Sequence, residues 1–169
     1  TICSVLNKES VQKDDAYFFP AWRIHSIGSG LFLAEIQQTS DITYRVYDWD
    51  RVDSEGRPRE LHTALAIDAI DFESDEEYVL TKSPEVNSSV ELIKREQFTT
   101  NLLAIDGEYT RVLAALDTFV VYIVAEGELQ IEVDDHSEKL VVGELVLIPA
   151  EVNEVTIKGK GRLLEAYVE

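Results

Sequence analysis

The chain has 169 residues, of which 33 are acidic and 15 are basic, giving a formal charge of −18. This length is enough to bury a hydrophobic core and is typical of one domain, or of one domain with part of another. The strong negative charge repels nucleic acid and anionic membranes, so neither is expected as a partner.

The cysteine count and the hydropathy pattern bear on location. Cys3 is the only cysteine, which excludes an intramolecular disulfide framework and favours a reducing cytoplasm. The longest apolar stretch, 119–125, is far shorter than the ~18 residues that a membrane helix needs, and no signal peptide is recognisable. The chain begins at Thr1 and contains no Met, which suits a piece of a longer protein.

In the first half of the chain, apolar and polar residues mostly alternate from Ala16 onward, a period typical of β-strands. The pattern predicts three strands, at 16–19, 31–37 and 42–49. If the apolar face of the third strand is an outer layer, Arg45 on the other face points into a barrel. Apolar residues at helical spacing after Pro58 predict one helix over about 59–70.

In the second half, the acidic and Ser-containing stretch 73–89 predicts a linker. Beyond it, about nine short strands are predicted, separated by turns that include Asp106-Gly107, Glu126-Gly127 and 159–161. There is no room for crossover helices, so an antiparallel jelly roll is expected. The prediction is an all-β protein with strands and one short helix at 1–72, a linker at 73–89, and a jelly-roll barrel at 90–169.

Two internal stretches resemble each other: "VQKDDAYFFPAWRIHSI" (11–27) and "LVVGELVLIPAEVNEVTI" (140–157). In each, a turn residue precedes five mainly apolar residues and Pro-Ala. The fifth residue after the proline is His25 in the first copy and Glu154 in the second.

This pattern resembles the second conserved motif of the cupin superfamily, which runs Gly, five residues, Pro-x-Gly, two residues and His. The histidine of that motif is typically a metal ligand at the mouth of a small β-barrel. In the first copy Asp14 and Trp22 stand at the two glycine positions; in the second, Gly143 is kept and Glu151 replaces the other. Trp22 is the notable departure, because glycine is often chosen there for its positive φ.

The downstream segments "AEIQQTSDITYRVYDWDR" (34–51) and "GRPRELH" (56–62) closely resemble the type I mannose-6-phosphate isomerases of the short bacterial kind. The resemblance runs from about Leu6 to the C-terminus. It implies a two-cupin enzyme that interconverts mannose 6-phosphate and fructose 6-phosphate with a zinc ion in the N-terminal cupin. On this resemblance, residues 1–72 are the C-terminal strands of a truncated first cupin, and residues 90–169 are a complete, metal-free second cupin. It assigns His25 as the last zinc-ligand histidine and Arg45 as the catalytic arginine, and it places Glu35 and Asp41 at acidic positions of the substrate pocket.

These residue types suit the implied chemistry. Moving a proton between C1 and C2 of a sugar builds negative charge on the carbonyl oxygen, which a metal ion or a fixed cation stabilises. Zinc binds imidazole nitrogen and carboxylate oxygen, and a catalytic site leaves one position open. Arg45 is permanently charged and offers directed donors to an enediolate, to sugar oxygens or to phosphate.

The number of available ligands limits this interpretation. Besides His25 the chain has only His62 and His136, and neither has a partner at ligand spacing. The family takes its other zinc ligands from a segment preceding the one seen here. We therefore expect the chain alone to be inactive or nearly so, and its opened barrel to dimerise or to leave its strands disordered.

Without the resemblance, each of these residues has an ordinary structural interpretation. His25 is then a surface residue beside a turn, Arg45 an ion-pair partner, and Glu35 and Asp41 strand-end acids. The other candidates follow the same logic: Tyr44, Tyr47 and Trp49 pack together, His62 lies on the helix surface, and Glu154 belongs to a structural barrel. Two other functions stay open: a non-catalytic cupin module for sugar binding or subunit assembly, and a metal-free regulatory cupin.

Overall fold

The structure is a computed structural model that describes residues 2–39, 42–73 and 78–168. The chain forms two compact units, the first made of residues 1–31 and 39–79 and the second of residues 32–38 and 80–169. Most regular structure is antiparallel β-sheet, so the predicted all-β class is confirmed.

The second unit is built on a six-stranded antiparallel sheet. The strands are β3 (Ser88–Lys94), β4 (Thr99–Val112), β5 (Val120–Val133), β6 (His136–Val141), β7 (Leu145–Ile148) and β8 (Glu154–Tyr167). Their order in the sheet is β3-β4-β8-β5-β6, and β7 pairs with the first half of β5. The long strand β8 lies between β4 and β5 and pairs with both along most of its length.

The predicted count of nine short strands is wrong, because three predicted turns are bends within long strands. Gly107 lies inside β4, Gly127 inside β5, and Gly159 and Gly161 inside β8. A Cβ added to Gly127 would lie 2.1 Å from the carbonyl oxygen of Lys160, so the bent strands approach too closely for any side chain. Glycine serves a tight turn and a close strand crossing equally well, which is why the sequence pattern misled.

The burial pattern of β5 records the same bend. Val120, Tyr122 and Val124 are buried before it, and Leu129 and Ile131 after it, so the alternation changes phase. The ladder with β8 shifts register between Val124 and Glu126, as a β-bulge does when it inserts one extra residue.

The core of the second unit consists of buried apolar side chains from β4, β5, β6, β7 and β8 and the loop after β4. Each fully buried Leu, Ile or Val contributes about 1.5–3 kcal/mol relative to exposure. The core residues are Leu103, Ile105, Leu113, Val120, Tyr122, Val124, Leu129, Ile131, Leu140, Ile148, Val155, Ile157 and Leu163.

The first unit has much less regular structure. A two-residue strand β1 (Ala16–Tyr17) pairs with β2 (Val79–Leu80), and a 3-10 turn covers Ile2–Ser4. The predicted strand 16–19 is thus shortened, and the described parts of 31–37 and 42–49 are not strands. Alternation predicts which face a residue occupies, but a β-ladder also requires a paired strand, and no ladder of the described residues includes these two segments.

The helix α1 spans Thr63–Ala69 and is shorter than the predicted 59–70. Pro58 forms an isolated antiparallel bridge with Val52, and the backbone N–H of His62 donates to the carbonyl of Arg45 at 2.7 Å. These bonds hold the backbone before Thr63 outside the helix. Ala66 is the buried residue of α1.

Candidate functional site

The Pro20 turn holds Trp22 in a backbone conformation that glycine usually adopts. The N–H of Arg23 donates to the carbonyl of Pro20 at 3.3 Å, and Trp22 has a φ of 75°. A positive φ at the third residue of a β-turn is the type II arrangement that normally selects glycine. Asp14, at the other glycine position, also has a positive φ of 74°. Both departures from the motif are therefore accommodated by strained backbone rather than by a different turn.

The orientation of the His25 imidazole is set by this turn. Its Nδ1 lies 2.9 Å from the carbonyl oxygen of Arg23. A carbonyl only accepts, so Nδ1–H is the donor, and in the neutral ring the lone pair is on Nε2. The ring stacks on Phe19, with centroids 4.6 Å apart and planes 6° apart. A backbone carbonyl on one ring nitrogen is the usual support of a metal-binding histidine.

Aromatic rings support His25 from behind Phe19. Tyr17, Phe19 and Tyr78 stack with centroids 6.2–6.4 Å apart. The guanidinium carbon of Arg23 lies 4.4 Å from the centre of the Tyr78 ring, within cation–π range. The histidine thus rests on a layer of rings rather than extending alone into solvent.

Arg45 is half-buried and is bound at both of its ends to the segment before α1. Its backbone N–H donates to Nδ1 of His62 at 3.0 Å, and its carbonyl accepts from the N–H of His62. Its Nη1 donates to the carbonyl of Glu60 at 3.1 Å. His62 is therefore not the helix-surface residue that the sequence predicted, since it is half-buried and bound to Arg45.

One hydrogen bond joins the two segments that carry the candidate residues. The indole Nε1–H of Trp49 donates to Oγ of Ser26 at 3.2 Å. This bond connects the residue after His25 to the strand-like segment after Arg45. Tyr47 and Trp49 also pack with ring centroids 5.4 Å apart, as the packing interpretation of these aromatics predicts.

The sequence analysis missed a buried acid beside these residues. Asp48 is 8% exposed and accepts two hydrogen bonds from Arg59, from Nε at 2.6 Å and from a terminal nitrogen. The bond with Arg59 lowers the pKa of Asp48 below its ordinary value. The available signal was its position, because Asp48 continues the predicted apolar face of Tyr44 and Val46.

Of the remaining predicted residues, Glu35 and Glu154 are exposed. Glu35 is exposed in the segment 32–38, which belongs to the second unit. Asp41 lies outside the described residues. Glu154 is exposed at the first position of β8, followed by the fully buried Val155. The roles of Glu35 and Asp41 stay predictions.

The described residues fit one metal ligand rather than a whole metal site. Among residues 2–39, 42–73 and 78–168, no group of three or more His, Cys, Asp and Glu side chains is arranged to hold a metal ion. A catalytic zinc site takes three protein ligands. His25 supplies a suitable nitrogen, and any further ligands lie elsewhere.

The second unit contains a charged network that the sequence analysis also missed. Glu165 is fully buried and accepts from Nε and Nη2 of Arg111 at 2.9 and 2.8 Å, from Nδ2 of Asn101 at 2.8 Å, and from Oη of Tyr122 at 2.9 Å. Asn101 and Tyr122 are its direct neighbours in the ladders with β4 and β5. Burial and the nearby carboxylate raise the pKa of Tyr122. The sequence signal was the alternation in β8, which places Glu165 on the same face as Leu163.

Comparisons with known proteins point to one family. Residues 88–168 match the family model described as mannose-6-phosphate isomerase, cupin domain. A putative mannose-6-phosphate isomerase of Bacillus subtilis, YvyI, is 32% identical over 97% of this chain and 52% of its own length. The mannose-6-phosphate isomerase of Streptococcus mutans is 36% identical over 70% of this chain and 31% of its own length.

A solved structure agrees with these matches. The crystal structure of mannose 6-phosphate isomerase from Bacillus subtilis superposes with a TM-score of 0.65 and 33% identity, over 76% of this chain and 41% of that chain. The chain spans about half the length, or less, of the curated relatives it matches. In the part of the chain that the structure describes, no helix is long and apolar enough to cross a membrane.

Proposed function

Since residues 88–168 belong to the cupin-domain family of the mannose-6-phosphate isomerases, we propose that the chain is the C-terminal portion of a zinc-dependent mannose-6-phosphate isomerase of the cytoplasm. It would contribute His25 and Arg45 to the active site, and it would be inactive or nearly so alone. The substrate would be a sugar phosphate, with Glu35 and Asp41 in its pocket.

The observation that carries this proposal is the support of His25. Its Nδ1–H is committed to the carbonyl of Arg23, and its ring is stacked on Phe19. The residue is exposed, so Nε2 is available to a metal ion. A surface histidine of no function needs neither a fixed tautomer nor a turn that holds Trp22 in the left-handed region.

Arg45 suits the role of the fixed cation. Its backbone is held on both sides and one guanidinium nitrogen donates to Glu60, which leaves other N–H groups for an oxyanion. A guanidinium held in place stabilises charge that develops on a sugar oxygen without reorganising during the reaction. Zinc, when bound, would polarise the sugar carbonyl as a Lewis acid.

A chimera tests the proposal. The N-terminal part of the Bacillus subtilis relative YvyI would be joined to this chain. The chimera would be assayed with mannose 6-phosphate and zinc, and the formation of fructose 6-phosphate would be measured. We expect turnover by the chimera, loss of at least about 100-fold in His25→Ala and Arg45→Leu, and normal turnover in the control His136→Ala. Turnover at ordinary enzyme rates by the chain alone would refute the incomplete site.

A second candidate function is a non-catalytic module for subunit assembly. It is favoured by the large apolar side chains that the first unit exposes, because exposed apolar surface marks interfaces. Sedimentation of the chain over a range of concentrations tests it: a dimer that persists in His25→Ala and Arg45→Leu supports assembly, and a monomer at every concentration excludes the dimer. The exposed side chains include Trp22 (65%), Ile42 (67%), Trp49 (52%), Leu65 (54%), Ile67 (58%) and Phe72 (75%).

A further inference from the structure

His62 precedes α1 at the N-cap position, yet its side chain makes no capping hydrogen bond. Asn, Asp and Ser are the residues that usually cap a helix, and a histidine there is unusual. The imidazole is instead half-buried and directed to Arg45. The helix start therefore forgoes a side-chain cap, and the imidazole serves another contact.

The contact between His62 and Arg45 resembles the paired hydrogen bonds of an antiparallel β-ladder, except that an imidazole nitrogen replaces one carbonyl oxygen. The N–H of His62 donates to the carbonyl of Arg45 at 2.7 Å, and the N–H of Arg45 donates to Nδ1 of His62 at 3.0 Å. In an antiparallel pair, a carbonyl would accept the second bond. Here the imidazole nitrogen replaces it, so Nδ1 carries the lone pair and the neutral ring is protonated on Nε2.

The same short segment also binds the far end of the arginine. Nη1 of Arg45 donates to the carbonyl of Glu60, and the Tyr44 ring lies 6.4 Å from that of His62. His62 thus fixes the backbone of Arg45, and Glu60 fixes its guanidinium. Arg45 is half-buried, so an N–H left without its acceptor would be partly shielded from water.

We propose that His62 is a positioning residue for Arg45, and this proposal rests on the proposed function. An arginine side chain has several rotatable bonds, so the guanidinium is accurate in position only if its backbone is fixed. A displacement of about 1 Å in a positioned group can cost a hundredfold in rate. His62 removes that freedom by forming with Arg45 the two hydrogen bonds that a neighbouring strand would form in a β-ladder.

Two polar variants separate this role from general stability. In His62→Asn the amide oxygen takes the place of Nδ1, whereas in His62→Gln it takes the place of Nε2 and misses the Arg45 N–H. We expect amide exchange of Arg45 to accelerate about three- to tenfold in His62→Gln and to stay near wild type in His62→Asn. His136→Gln, at the exposed first position of β6, is the control for loss of an imidazole.

The hydrogen bond from the Arg45 N–H to Nδ1 of His62 can also be detected directly by NMR in the wild-type chain. A scalar coupling between the Arg45 amide nitrogen and Nδ1 of His62, with His62 in the Nε2–H tautomer, is expected from the geometry. An absent coupling together with an Nδ1–H tautomer overturns the proposal. Equal exchange rates of Arg45 in the Asn and Gln variants overturn it as well, since the position of the acceptor would then not matter.

Binding of mannose 6-phosphate, followed by NMR, connects the contact to function. We expect Arg45→Leu to abolish binding, His62→Gln to weaken it about three- to tenfold, and His62→Asn to retain it. Wild-type binding in Arg45→Leu would refute the proposed function of Arg45, while the exchange data would still decide whether His62 holds it. Weakened binding in His62→Gln with an unchanged Arg45 amide would overturn the positioning role.

Discussion

Different kinds of interaction stabilise the interior of each of the two units. In the second unit, long strands share continuous ladders, and a single apolar core lies beneath them with Glu165 fully bonded inside it. Among the described residues of the first unit, the segment 42–49 is not a strand, and individual side chains bind the backbone or each other, as His62 binds Arg45 and Arg59 binds Asp48. The candidate catalytic residues belong to the unit with fewer regular elements.

This difference indicates where each unit is vulnerable. The second unit should lose much stability when its interior is disturbed, because many groups depend on each buried position. The first unit should respond to single hydrogen bonds and to backbone strain, with smaller changes in free energy.

Replacing Glu165 with Leu should give the largest effect. The change keeps approximate volume but leaves Arg111, Asn101 and Tyr122 without their shared acceptor, which costs about 3–5 kcal/mol for a buried pair. Urea unfolding measures it. The matched control is Asp106→Asn at the exposed pair with Lys160, where water screens the charges and the loss of stability should be close to the limit of measurement. Similar losses in both variants would contradict a special role of the interior.

Gly127→Ala should be the next most costly change. A Cβ there would lie 2.1 Å from a backbone carbonyl, and φ is 79°, so both a clash and strain arise, at about 2–4 kcal/mol. Gly107→Ala shares the positive φ of 95° but has nothing within 4 Å, so it should cost about 1 kcal/mol. Thermal unfolding compares the two, and equal costs would show that close approach of the strands is unimportant.

Trp22→Gly should have a smaller effect of opposite sign. Glycine relieves the left-handed backbone at a φ of 75°, and after its extra entropy in the unfolded chain the first unit should gain about 0.5–1 kcal/mol. Glu151→Gly, at the matching position of the Pro149 turn, has no positive φ to relieve and should lose about 0.5–1 kcal/mol. A loss in both variants would mean that the Trp22 side chain stabilises its turn by more than the strain.

The smallest effect is expected in the pH dependence of the first unit. Arg59 lowers the pKa of folded Asp48, so this pair stabilises the fold above the ordinary carboxyl pKa of about 3.8 and loses its contribution as the pH falls below it. Asp48→Asn should flatten the acid side of the stability profile between about pH 5 and pH 2. The profile of stability against pH is compared with that of Asp53→Asn, which removes the exposed ion pair between Asp53 and Arg57. An unchanged profile in Asp48→Asn would contradict the role of the pair.

Much of the fold could be predicted from local pattern, because burial imposes alternation wherever a ladder exists. The strand β8 illustrates both success and failure. Its two halves were predicted correctly as strands, but Gly159 and Gly161 suggested a turn because a turn and a close crossing both require glycine. Glu165 was overlooked, although a charged residue on the face of Leu163 predicts a buried partner.

The site was less accessible to sequence reasoning. The motif around Pro20 made His25 a candidate ligand, but the sequence did not predict the backbone of Asp14 and Trp22, both of which have positive φ in the structure. The contact of His62 with Arg45 spans seventeen positions and joins a side chain to the backbone, so no spacing rule signals it. Asp48 and Arg59 form an ion pair between side chains eleven positions apart, which no spacing rule signals either.

Zinc titration of the chain with ¹⁵N-labelled histidine tests whether His25 is a zinc ligand. We expect Nε2 of His25 to respond first and His25→Ala to remove the response. Binding should be weak, because the described residues supply one ligand. His62 serves as an internal reference, since its Nδ1 is already bonded to Arg45. Tight binding at one equivalent of zinc with His25 unmoved would contradict the account.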